Sequence, residues 1–276
     1  MMSSHARARS SCAAAAMLAL LAAAAEAQPD GAARREAPAV LRTADGKADL
    51  SGIWIATGAL LLMEGEEALQ AARDADAAAG RAPQPPPEPL PYTPEADATR
   101  QQYLARLGID DPMARCLLTG VPRISFRPLP FEIVQLPERV IILYEIHHAF
   151  RIIPTDGRGH PEDMEPSYLG DSVGHWDGDT LVVDVTGFNE DTWLTGVGTV
   201  HSDQLRVTER YTRDTFDTIR YEVTLEDPEV FTKAWHVYET FRLRPNERIR
   251  EYECIQSNED LQRFERMLKD ASLEEP

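Results

Sequence analysis

The sequence predicts a mainly β fold, a closed antiparallel barrel of about nine strands behind a partly helical N-terminal region. Three observations carry this. From Phe131 onward the hydrophobic period is two; turn signals cut that stretch at hairpin spacing; and no helical segment between the strands offers the crossover that parallel pairing needs. With 276 residues, 43% of them hydrophobic, one or two domains with a sizeable core fit the length.

The first 27 residues read as a secretion signal. Arg7 and Arg9 precede a short Ala/Leu run over Cys12–Ala25, and Ala25-Glu26-Ala27 gives the small-x-small cleavage pattern before Gln28. The run is too short and Ala-rich to span a membrane, and Cys12 lies ahead of it, so lipid anchoring at the cleavage site is not expected. The expected product is exported, periplasmic or secreted, with no membrane insertion. Losing Arg7, Arg9 and Glu26 takes the 28 basic and 46 acidic residues to 26 and 45, a net −19. Such an acidic chain lacks the basic patch that nucleic acid requires, so nucleic-acid binding is excluded.

Residues 28–48 read as a flexible lead-in. Residues 49–130 hold a first strand at Leu50–Ile55, an Ala/Glu-rich surface helix over 64–79, a Pro-rich extended connector over 83–94, and a second helix over 95–107 that Thr93-Pro94 starts. The barrel then occupies 131–276. Its strands are predicted at 131–136, 139–146, 148–153, 172–176, 179–185, 204–212, 218–225, 231–243 and 248–255. Asp177-Gly178 is the sharpest hairpin signal, and a type I′ loop is expected there. Residues 258–269 return to a helix with Leu261, Phe264 and Leu268 on one face; 49–276 reads as one domain.

Export changes how the cysteines are read. Cys12 leaves with the signal, and Cys116 and Cys254 remain as an even pair in an oxidising space, so a disulfide between them is expected. It closes a loop of about 140 residues, worth ~4 to 5 kcal/mol on a chain-entropy argument.

Three segments, DGKADLSGIW from Asp45, GHWDGDTLVVD from Gly174 and HSDQLRVTER from His201, resemble a large family of exported bacterial proteins. The similarity extends to Asp111–Cys116, Gly159–Asp163 and the Cys254 segment. The resemblance implies export and no particular activity. By analogy of architecture the barrel is lipocalin-like, of the calycin type, a shape that hosts both carriers and enzymes.

Two constellations carry chemistry. Glu209 shares strand parity with Leu205, Val207 and Tyr211, and Glu239 with Trp235, Val237, Phe241 and Leu243, so two carboxylates are expected to face inward. Burial raises a carboxylate's pKa and suits it to acid-base work; the alternatives are a structural ion pair with Arg151 or Arg210, or simple exposure on an edge strand. His201, Asp203 and His148 are candidate supports, although His201 and Asp203 also suit a plain turn. Along 140–153 one parity carries Tyr144, His148 and Phe150 and the other Glu145, His147 and Arg151, so one set at most is expected in the lumen. All six histidines beyond the signal, His147, His148, His160, His175, His201 and His236, lie in the strand-rich half. A divalent metal on His147, His148, His160 or His201 is therefore an alternative, but no metal-binding spacing occurs and no cofactor is expected.

Tyr144, Trp176, Trp193, Trp235 and Tyr238 are candidate ligand-binding aromatics, or simply core. Gly170-Asp171-Ser172-Val173-Gly174 matches a serine-hydrolase pattern without the strand-turn-helix context that pattern needs. No phosphate loop, dinucleotide fingerprint or haem-attachment motif is present. The leading expectation is a cofactor-free enzyme of lyase, isomerase or cyclase type acting on a small hydrophobic or aromatic molecule, with Glu209 and Glu239 as acid and base. Its rivals are a non-catalytic periplasmic carrier and a His-rich metal-binding protein. Oligomeric state is left open.

Overall fold

A computed structural model describes residues 39–57, 90–106, 110–196 and 198–254, with Gln262, Arg266 and Lys269 beyond them. Among these, nine strands form one antiparallel sheet: β1 Gly52–Ala56, β2 Phe131–Leu136, β3 Arg139–Tyr144, β4 Phe150–Pro154, β5 Asp171–Asp177, β6 Thr180–Thr186, β7 Arg206–Thr215, β8 Thr218–Glu226 and β9 Trp235–Leu243. The order is β4-β3-β2-β1-β9-β8-β7-β6-β5. This is the mainly β, antiparallel barrel the sequence predicts, and it is nearly closed.

The seam lies between β4 and β5, which share no ladder. Side chains close it instead: Nη2 of Arg151 on β4 donates to Oγ of Ser172 on β5 at 2.9 Å. Gly174 is needed at this approach, since a Cβ there would lie 2.9 Å from Cγ2 of Ile153. The serine and second glycine of the hydrolase-like pattern thus join the barrel's two ends.

Alternation sets the core. Val207, Glu209, Tyr211 and Arg213 on β7, Ile219, Tyr221, Val223 and Leu225 on β8, and Trp235, Val237, Glu239 and Phe241 on β9 are all buried on the inner face. The segment Thr119–Phe126 is buried without a break and enters the barrel. Its Phe126 ring lies 5.6 Å from that of Tyr221, and Ser125 Oγ meets the Tyr144 hydroxyl at 3.1 Å. Helix α1, Pro94–Ala105, follows the Thr93 cap, whose side chain accepts from the Ala96 amide. Tyr103 near its end packs on Trp193, centroids 4.8 Å apart.

The Cys116–Cys254 bridge forms, with Cα atoms 5.7 Å apart. Gln262, Arg266 and Lys269 are helical and exposed, whereas Leu261, Phe264 and Leu268 lie outside the described residues. So do the predicted signal segment and the helix over 64–79.

Three expectations need correction. Residues 248–254 form no strand; their amides bond to side chains, Arg250 N donating to Glu145 and Tyr252 N to His148 Nε2, both at 2.9 Å. The ninth strand is β1, which bridges β2 and β9. The β5–β6 loop is Gly178-Asp179, one residue later than expected, because Asp177 pairs with Thr180. Only Gly178 in that loop has positive φ, +60°, the pattern of a type II′ turn. Finally, Tyr144 and Arg151 both face inward despite opposite parity. A 3-10 turn over Ile146–His148, with His147 and His148 at φ 57° and 49°, breaks the strand and resets its face.

Candidate functional site

The barrel interior holds a carboxylate surrounded by donors. Glu209 is fully buried; its Oε1 accepts from Arg151 Nη1 at 3.0 Å, Tyr211 Oη at 2.8 Å and Tyr221 Oη at 2.6 Å, and its Oε2 from Arg151 Nη2 at 2.5 Å. Burial works to lower the Arg151 pKa, but the Glu209 charge more than offsets it and holds the guanidinium well above its ordinary value. Burial, followed by the Glu209 charge, pushes both tyrosine phenols well above theirs, so they remain donors. Of the two partners considered, Arg151 is the one that forms; Arg210 points out and pairs with Asp177 at 2.9 Å.

Glu239 lies across β8 from Glu209, opposite Tyr221 in the β8–β9 register. Its Oε1 accepts from the Thr240 amide at 2.6 Å. Both carboxylates therefore face inward from strands flanking β8. Both oxygens of Glu209 are thus engaged, by four donors in all.

The candidate supports are elsewhere. His201 is buried outside the strands: Nδ1 donates to the Ser202 carbonyl at 3.0 Å, which makes Nε2 the acceptor of the Thr192 hydroxyl at 2.7 Å. Desolvation keeps it neutral, with its pKa below 6.5. Ser202 is tied by amide and hydroxyl to Asp227. Asp203 is exposed beside Gln204, and His148 is exposed beside Tyr252. His160 lies on the outer face, Nδ1 2.6 Å from Asp171 and Nε2 3.4 Å from Asp184. Burial works to raise the Asp184 pKa, but Arg206 and then His160 outweigh it and hold the carboxyl below its usual range. His147 is half-buried against Tyr252. Among the described residues no three His, Cys, Asp or Glu side chains come together as a metal site.

The aromatics also separate. Tyr144 joins the interior polar network, Trp235 packs on Phe231, Trp193 packs on α1, and Tyr238 lies half-buried on the outer face. Of the five, Trp176 lines a cleft. This cleft of about 340 Å³ lies between the 43–51 segment, the β2–β3 turn and Trp176.

Local chemistry builds this cleft. Arg42 makes a two-bond ion pair with Asp179 at 2.7 and 2.8 Å, tying the N-terminal segment to the β5–β6 loop. Lys47 Nζ lies 5.5 Å from the Trp176 ring centroid and 3.0 Å from Asp45. The Thr43 hydroxyl, then Lys47, holds the Asp45 carboxyl below its usual range. Gln135 fixes the floor, accepting from Leu50 N and donating to the Ala48 carbonyl. Trp54 seals the barrel below, with the Arg213 guanidinium 5.1 Å over its ring and its Nε1 donating to Leu50 O at 2.9 Å.

Two of the three motif segments meet here. Sequence reasoning picked out Trp176 but missed Asp45, Lys47 and Asp49 as site residues, because their neighbours are remote in the chain and leave no periodic signal. Tyr211 and Tyr221 were accessible through parity, since both share the inner face with Glu209.

No protein-family model matches the chain, and no curated protein does. Among solved structures it matches a crystal structure of a mutant of the fluorescent protein UnaG, at 15% identity over 53% of this chain and 88% of that one. The TM-score of that match is 0.26.

Proposed function

We propose that the protein is an exported binding barrel that holds a small, ring-bearing, hydroxylated molecule in the cleft beside Trp176. The observation that carries this reading is the cleft's composition at about 340 Å³, within the ~300 to 1,000 Å³ typical of small-molecule sites. Trp176, Leu136 and Pro137 supply an apolar wall. Asp45 and Asp49 supply carboxylate acceptors that suit ligand hydroxyls, and Lys47 supplies a cation at the ring face. The interior reads as a scaffold, since Arg151, Tyr211 and Tyr221 take up the Glu209 carboxylate and Phe126 of the buried Thr119–Phe126 segment packs on Tyr221.

Native mass spectrometry of protein recovered from an exporting host, followed by calorimetric titration with catechol, tests the reading. A bound organic mass, or catechol binding weakened at least tenfold by Trp176→Ala, is expected. An empty protein that takes up no catechol, or binding indifferent to Trp176→Ala, overturns it.

A further inference from the structure

The outer face of β2–β4 is unlike the rest of the barrel surface. Strand registers place Val134, Ile141 and Ile152 in one row across the three strands and Glu132, Leu143 and Phe150 in the next. Phe150 is 62% exposed, Ile152 48% and Leu143 36%. Val140-Ile141-Ile142-Leu143-Tyr144 is apolar on both faces, the signature of a strand covered on both sides. Among the described residues nothing covers the outer side of this one, and an exposed patch of this kind marks an interface.

We propose that two copies of this chain pack through the outer face of β2–β4 about a twofold axis laid along the Val134–Ile141–Ile152 row. Charge selects this occupant. The chain carries a formal −18, so copies repel over most of their surface, and an anionic bilayer would repel them as well. On these three strands the only outward charges are Glu132 and Arg139, of opposite sign, and neither has an ion pair among the described residues. The twofold exchanges the two ends of the strands. It brings Glu132 of one copy beside Arg139 of the other, twice by symmetry, as a self-complementary interface requires. The same face ends at Leu136, on the rim of the cleft.

Sedimentation velocity on the mature chain tests this. A dimer at micromolar concentration that dissociates on dilution is expected. Phe150→Glu with Ile152→Glu should leave only monomer, with an unchanged circular dichroism spectrum because both side chains are exposed. Glu132→Arg should weaken the dimer at least tenfold, and adding Arg139→Glu should restore it. A wild-type chain that stays monomeric overturns the proposal and leaves the face to a different partner. A dimer unmoved by the Phe150 and Ile152 substitutions, or a charge swap that restores nothing, overturns it too.

Discussion

The two halves of the barrel wall share an inner face and differ in their outer one. Inside, β2–β4 and β6–β9 contribute the same kind of apolar core, joined by Arg151 from one half and Glu209 from the other. Outside, β5–β9 carries ion pairs and hydroxyls: Arg206 with Asp184, Arg210 with Asp177, Arg220 with Asp214, and Thr180 with Thr212. The outside of β2–β4 carries Ile141, Leu143, Phe150 and Ile152. One architecture thus presents one wall to water and another suited to protein, and only side chains that leave the core untouched distinguish them.

The largest effect should come from breaking the link between the halves. Arg151→Met strands the Glu209 charge and should cost about 3–5 kcal/mol in urea unfolding. Adding Glu209→Met should recover most of that loss, because the pair's value is mainly the cost of breaking it. The Cys116→Ser, Cys254→Ser chain should lose about 2–5 kcal/mol, through a less constrained unfolded state.

Acid comes next. His201 is held neutral in the fold with its pKa below 6.5, so the unfolded chain binds the proton first. Stability should therefore fall as pH drops below about 6.5 and level off once the folded pKa is passed. His147 is lowered too, by burial and then by Arg127 and His148, and adds in the same direction. His201→Gln should flatten the decline in melting temperature between neutral and mildly acid pH. A decline as steep as wild type's would remove His201 from this account.

The smallest effects separate the two walls. Arg206→Ala on the polar wall should change stability by no more than about 0.5 kcal/mol and leave association alone. Phe150→Thr should be as mild on stability yet shift the monomer–dimer balance, which sedimentation reads directly.

Most of the strand order was legible because alternation is local: β7, β8 and β9 announce their inward faces residue by residue. What escaped was decided at a distance or by backbone geometry. Nothing in Ile146-His147-His148 signals two consecutive left-handed residues, so the face reset that sends Arg151 inward was invisible. Residues 248–254 alternate as a strand would, but a side chain on each of Glu145 and His148 takes the amides that a ladder would have used. At the candidate site, Glu209 and Glu239 were placed inward by parity, whereas the meeting of Lys47 with Trp176 depends on Arg42 reaching Asp179 across the fold.

A ligand held beside Trp176, as proposed, would leave the barrel interior uninvolved in binding. Catechol titration of two variants, Trp176→Ala and Glu239→Gln, tests it most directly. Binding weakened at least tenfold in the first and unchanged in the second is expected; binding kept in the first and abolished in the second would move the ligand into the barrel.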